Sequence, residues 1–380
     1  MEKTSGKTEA FPHLDSSLPA LCVAYGYRYG EVQALLAPKV PKEGTFISRL
    51  SPSPSDRRPV AVSLGPTVTV AAQPHPDQSD TTTVVAGVLK RAASKHPEPS
   101  KSILKRLEVF VQKYLEENLT PLPPDSDISV ERWLEHTNYP LWRKQDLLEK
   151  HSKIVNPFDK KYTRAKCFVK DETYPEYKHA RGIYSRSDEF KCLVGPFFKL
   201  IEEEVYKLPQ FVKHIPVSER PKYILDMLDG EGSPQSTDYT SFESQFTTRI
   251  MEIVEIQMYK YMTKYLPGKN DFYRHLEVIK GKQLCSFKFM DVSLETCRLS
   301  GEMCTSLGNG FSNLMFALFA AQESGCSNVR IVVEGDDGLM KYCGPSLKAE
   351  NFGRIGLTIK METHSRIETA SFCGIIFDTE

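Results

Sequence analysis

A chain of 380 residues with 40% hydrophobic and 26% charged side chains is long enough to bury a large core, and its composition excludes the wholly disordered, collagen-like and disulfide-scaffold classes. Its 49 basic residues balance 49 acidic ones, so a nucleic-acid site has to come from local clustering and not from overall charge. Nine cysteines run from Cys22 to Cys373 without a Cys-x-x-Cys pair, which argues for a reducing compartment and against structural zinc.

The first hundred residues hold 12 of the 25 prolines, which break long helices and central strands, so this part is expected to be loop-rich. Within it "VAVSLGPTVTVAA" suits one or two short strands. The start, "MEKTSGKTEAFPHLD", lacks the apolar core of a signal peptide. Compact structure is expected from about Lys101, where "KSILKRLEVFVQKYLEENL" puts Leu104, Leu107, Val111 and Tyr114 on one helical face before "TPLPPDSD". Further helices are predicted over residues 197–208 and 245–266, the second stopped by Pro267-Gly268. "TSLGNGFSNLMFALFAAQESG" reads as a glycine-bearing loop running into an apolar helix that ends near Gly325. Even its richest part, "NLMFALFAAQ", is shorter than the roughly 18 residues of a membrane span, and the reading is a soluble cytoplasmic chain. A hairpin follows, then a polar helix near 346–355 and two short strands, "GLTIKME" and "SFCGIIFD".

The hairpin, "VRIVVEGDDGLMKY", carries Gly335, Asp336 and Asp337 at its tip. Alone they suit an ordinary polar turn. At a tight tip, however, adjacent carboxylates repel unless a cation is shared. About a hundred residues earlier, "STDYTSFESQF" places Asp238 and Glu243 across a strand-to-helix transition. Asp238 is either a helix N-cap or the second element that two-metal phosphoryl transfer needs. In "RLSGEMCTSLGNGFSN" the pattern is Ser300, Gly301, Thr305 and Asn309. That is either a helix with a flexible glycine start, or a site where Gly301 admits a substrate and Thr305 and Asn309 offer hydrogen bonds to a ribose hydroxyl. Residues 160–199 hold ten Lys/Arg against five Asp/Glu. Such a run is a solvated face by default. The order Lys170, Lys178, Arg181, Arg186, with Tyr177 and Tyr184 between, also suits a channel for a triphosphate and a nucleic-acid backbone.

Taken in order, these blocks resemble the RNA-dependent RNA polymerases of positive-strand RNA viruses, most nearly the tombusvirus-like and nodavirus-like group, over roughly residues 130–380. "FVKDE…KHARGIYSR" is similar to the family's basic fingertip motif, "TDYTSFES" to its first palm carboxylate motif and "SGEMCTSLGNGFSN" to its ribose-recognition loop and helix. "EGDDG" is similar to its metal turn, "GLTIK" to the next palm motif and "SFCG" to the strand that grips the primer end. Two departures stand out. Glu243 replaces the usual Asp, and the family continues into a thumb where this chain stops at Glu380, so a fragment, or a thumb supplied differently, is expected.

The resemblance implies an α+β right-hand fold with an antiparallel palm sheet flanked by helices. Its divisions are a Pro-rich region 1–100, N-terminal helices and fingers 101–221, palm 222–266, a fingers insertion 267–298 and palm 299–380. It also implies RNA template, nascent RNA and ribonucleoside triphosphates as partners, with other replicase or host proteins, at membrane-associated sites in the host cytoplasm. Asp238 and Asp336 would hold two Mg²⁺ ions, with Mn²⁺ as a substitute and Asp337 as an outer ligand. Lys170 and Arg181, with Lys178 and Arg186, would meet the triphosphate, and Lys360 would protonate the leaving pyrophosphate. Glu243, Ser300, Gly301, Thr305 and Asn309 would read the nucleotide's sugar. The rival readings are an RNA-binding palm-and-fingers fragment without catalysis and a reverse transcriptase. Gly335, a polar ribose-facing helix and Glu243 in place of a bulky steric gate argue against the latter.

Overall fold

The computed structural model describes residues 4–5, 40–49, 76, 78–172 and 178–377. The strands expected in residues 60–72 and the ring of Tyr177 lie outside them. In chain order the strands are β1 (Thr4–Ser5), β2 (Phe46–Arg49), β3 (Ala165–Val169), β4 (Gly182–Ser185), β5 (Gln235–Tyr239) and β6 (Gln283–Phe287). They continue as β7 (Met290–Leu294), β8 (Ser327–Glu334), β9 (Asp337–Cys343), β10 (Ile359–Thr363), β11 (Ser371–Phe372) and β12 (Ile375–Ile376). With the helices between them they make an α+β fold. One sheet has the order β1-β2-β7-β6-β3-β4, another β10-β5-β9-β8, and β11 pairs with β12 alone.

The four-stranded sheet is antiparallel throughout. Alternation along its strands separates two faces. Tyr239, Ile331, Val333, Met340 and Ile359 point into the main core, where the helices Lys101–Asn118, Thr248–Ile253, Glu255–Met262 and Thr305–Glu323 supply the apolar cover. On the other face Val332 and Leu339 pack with Ile224, Leu228 and Phe372, contributed by the helix Arg220–Met227 and its C-cap, and by β11. That second cover is partial, and Asp238 and Lys360 on the same face stay exposed.

The helix at Lys101–Asn118 forms as its periodicity predicts. The Ser100 hydroxyl caps it by accepting from Ile103 N, and Leu107 and Val111 are buried on the expected face, with Leu104 and Tyr114 half-buried at its rim. Two other helices differ from their patterns. The segment predicted from 197 starts at Asp188, capped by Ser187, and runs through Pro196 to Val205. Proline marks a probable boundary, but here the helix continues across it, with Gly195 so close to Trp133 that an added Cβ would come within 2.5 Å of its ring. The segment predicted as one helix over 245–266 is a 3-10 turn, Phe242–Gln245, and two short helices broken at Val254, where φ is −112° and ψ −85°. Ile250, Met251, Ile253, Val254, Ile256 and Met258 are all buried, more directions than the face of one straight helix covers.

The Pro-rich N-terminal region contributes more than loop. Asp80 accepts from Thr82 N and Thr83 N to start a helix at Thr81–Arg91, whose Val84, Val85, Val88 and Leu89 pack with Ile47 against the six-stranded sheet. No helix among the described residues is long and apolar enough to cross a membrane.

Candidate functional site at the tip of the four-stranded sheet

Glu334 pairs with Asp337, so Gly335 and Asp336 alone make the turn between β8 and β9. Gly335 takes φ +60° and Asp336 keeps a negative φ, the pattern of a type II′ turn with glycine first. The turn is held from beneath. Asn313 Nδ2 donates to Asp337 O at 2.9 Å and to Gly335 O at 3.3 Å, and a Cβ on Gly310 would sit 3.6 Å from Gly335 N. The helix Thr305–Glu323 therefore lies against the turn through small and polar residues.

β5 runs between β9 and β10. Asp238 pairs with Lys360 on one side, and Thr237 pairs with Gly338 on the other, so the same register carried one residue on sets Asp238 opposite Asp337. Asp238 is a strand residue. The following helix is capped instead by Thr247, whose hydroxyl accepts from Ile250 N at 3.2 Å, which removes the N-cap alternative.

Burial pushes the Asp336 carboxyl up to about 6, and repulsion from Glu243, Asp337 and Asp238 adds to the rise. The side chain of Asp336 is nevertheless exposed at the tip of the turn. Among the described residues none of these four carboxylates has an ion-pair partner, and no group of three or more His, Cys, Asp or Glu side chains is arranged to hold a metal ion. Carboxylate oxygens are the donor type that a hard divalent cation prefers.

Glu243 reaches this region from a strained turn. Ser241 adopts the left-handed region, φ 54° and ψ 58°, which costs a non-glycine residue of order 1–3 kcal/mol unless its surroundings impose it. Gln245 is one such constraint. Its Nε2 donates to Thr240 O and Thr358 O, both at 2.9 Å, while its Oε1 accepts from Thr358 N at 2.9 Å. Arg298 N donates to Glu243 O at 3.0 Å.

Three members of the predicted sugar-reading set are committed within the fold. Ser300 Oγ donates to Gly182 O at 3.0 Å, and Thr305 Oγ1 to Leu299 O at 2.9 Å. Gly301 spends its missing side chain against β4, where a Cβ would come within 2.5 Å of Tyr184 O. Asn309 differs. It is 4% exposed, and its Oδ1 has no hydrogen-bond partner among the described residues.

The basic stretch divides as well. Lys170 and Arg181 share Glu172, at 2.9 and 3.5 Å, at the loop end of the β3–β4 hairpin, and Lys178 is exposed. Arg186 is a correction. It is 3% exposed, pairs with Glu302 at 2.7 Å and donates to Thr163 O and Gln283 Oε1, so it holds the sheet together and is not a phosphate ligand. Burial pushes the Tyr184 hydroxyl up, and three cysteines and then Glu243 add to the rise. At the far end of the chain Cys373 and Gly374, both at positive φ, turn β11 into β12; burial, then Asp337, pushes the Cys373 thiol up.

Asn313 and Gln245 have no counterpart in the sequence reading. Asn313, one helical turn past Asn309, was the legible one; Gln245 acts only on backbone atoms distant in sequence. No protein-family model matches the chain, and no curated protein matches it.

Proposed function

We propose that this chain is the palm and fingers of an RNA-dependent RNA polymerase, extending an RNA 3′ end by one templated ribonucleotide at a time with release of pyrophosphate. The observation that carries this reading is the mutual repulsion of Asp238, Asp336, Asp337 and Glu243, brought from three separate elements, with no ion pair to any of them among the described residues. In it the four-stranded sheet is the palm and the six-stranded sheet belongs to the fingers of a right hand.

Asp238 and Asp336, with Asp337 adjacent, would hold Mg²⁺ or Mn²⁺, which would lower the pKa of the primer hydroxyl and offset the charge of the departing pyrophosphate. The chain's own groups do the rest. Lys170, Arg181 and Lys178, on the β3–β4 hairpin, would orient the triphosphate by charge-assisted hydrogen bonds. Glu243 accepts a hydrogen bond from the ribose hydroxyl, and the side-chain amide of Asn309 donates one to it. Lys360, across from Asp238, delivers a proton to pyrophosphate.

The test is primer extension on an RNA template with Mg²⁺, alongside Asp238→Asn and Asp336→Asn. Each variant is expected to lose at least a hundredfold in rate while binding template as wild type does, because a ligand charge disappears and no phosphate contact does. Activity within tenfold of wild type in both variants would sink the metal assignment. Template binding without extension by wild type would favour a non-catalytic RNA-binding protein, and equal use of dATP and ATP a reverse transcriptase.

A further inference from the structure

Beneath the Glu243 turn lies a buttress from the N-terminal region. Ser241 Oγ donates to Lys90 O at 3.0 Å. Lys42 Nζ donates to Ser244 O at 3.3 Å and also to Thr296 O, so one ammonium joins the turn that carries Glu243 to the segment that leads to Ser300. His96 completes the contact. One ring nitrogen lies 2.7 Å from Ser244 Oγ and the other 3.0 Å from Thr358 Oγ1. Ser244 Oγ already donates to Ser241 O at 2.7 Å, so it accepts from His96 Nε2–H. Nδ1 is then the acceptor for the Thr358 hydroxyl, and the ring is neutral. Burial, with Lys42 and Lys90 nearby, holds His96 down at about 4. The next residues press on the same strand start: a Cβ on Gly356, at φ +96°, would meet Pro99 Cδ at 2.8 Å and Pro97 O at 3.1 Å.

One imidazole thus ties the turn bearing Glu243 to the residue two before Lys360. Neither His96 nor Lys42 is among the carboxylates or bases assigned to substrate. We propose that His96 and Lys42 are positioning residues for sugar selection, holding Glu243 at a fixed height over the sheet while touching no substrate. The proposal rests on the polymerase reading above. A residue kept in the left-handed region by its surroundings relaxes when they are removed. The Ser241 turn then moves Glu243 away from the ribose. The loss falls on ribonucleotides, because only they present the hydroxyl.

The experiment compares kcat/KM for ATP and dATP on one RNA template-primer with Mg²⁺, in wild type, His96→Ala, Lys42→Met and Thr358→Val. Thr358→Val keeps shape and removes one bond to His96, so it answers even if the larger changes impair folding. His96→Ala is expected to narrow the ATP:dATP ratio by about tenfold and Thr358→Val by about threefold, both through ATP. The double variant His96→Ala/Thr358→Val should do no more than His96→Ala alone, since both remove the His96–Thr358 bond. His96→Gln, which keeps a donor and an acceptor, should recover part of the ratio. Equal losses for both nucleotides, or a ratio within twofold of wild type in every variant, would overturn the inference and leave the polymerase reading standing. A wild type that extends no primer overturns that reading, and the inference with it.

Discussion

Asp238 and Lys360 face one another across the β5–β10 pair, on the solvent-open face of the sheet. Opposite charges at directly paired positions attract through about 4.5–5.5 Å between Cβ atoms. Yet no ion pair joins these two among the described residues. An ammonium held near the carboxylate but uncommitted to it is available for proton transfer. Replacing Lys360 by Leu is expected to lower kcat by about a hundredfold with KM nearly unchanged, in line with general-acid contributions of roughly 10²–10⁴. Lys360→His should restore part of the rate at low pH. Single-turnover incorporation measures this, and an unchanged rate in Lys360→Leu removes the residue from the mechanism.

Arg186 and Arg181 stand five apart in the sequence and should respond to substitution in opposite ways. Arg186→Ala strands the buried Glu302 carboxylate, and loss of one partner of a buried pair typically costs 3–5 kcal/mol. Urea unfolding should register that loss, and Arg186→Met with Glu302→Leu should recover most of it. Arg181 is half-exposed beside Glu172. Its replacement by Ala should leave unfolding within about 0.5 kcal/mol and raise the KM for nucleotide severalfold. A salt-dependent loss of template affinity with KM unchanged would make Arg181 a backbone contact instead.

His275 lies between the rings of Phe158, stacked at 5.1 Å, and Phe190, edge-on at 5.5 Å. Burial holds it down at about 4, whereas an unfolded histidine takes up its proton near 6.5. Between those values the unfolded chain binds more protons. Stability is therefore full above about 6.5 and falls as pH drops towards 4, by about 2 kcal/mol for this group. His275→Phe should flatten that part of the curve in urea titrations at pH 7, 6 and 5. His96 contributes a second loss of the same sign, so the slope should diminish and not vanish. A slope identical to wild type would mean that His275 does not titrate in this window.

The parts of the site legible in sequence were those whose chemistry is local. A two-residue glycine-first turn between apolar strands needs only neighbours along the chain, and Gly335 to Asp337 fold as that pattern requires. Asp238 was legible only as a residue at a strand-to-helix transition, with an N-cap role as the alternative, and it lies in β5. What escaped depended on distant partners. Nothing near Arg186 in the sequence tells that Glu302 waits 116 residues away, and Ser300, Gly301 and Thr305 read as substrate contacts because hydroxyls and glycines suit substrate and backbone alike. The helix at Thr81–Arg91 opens with three threonines, weak helix formers that packing against β-strands overrides. The break at Val254 has no glycine or proline to announce it.

Tyr239 follows Asp238 and points the other way, into the core, with its ring 4.3 Å from that of Phe242 and 6.3 Å from that of Phe352. A slip of β5 by one residue against its neighbours would exchange the two, driving a charge under the helices and an aromatic ring into water. The slip would have to occur against β9 and β10 at once. An aromatic ring on the hidden side thus acts as the detent that indexes the carboxylate on the open side. Substitutions that loosen Phe242 or Phe352 can misplace a charge they never touch.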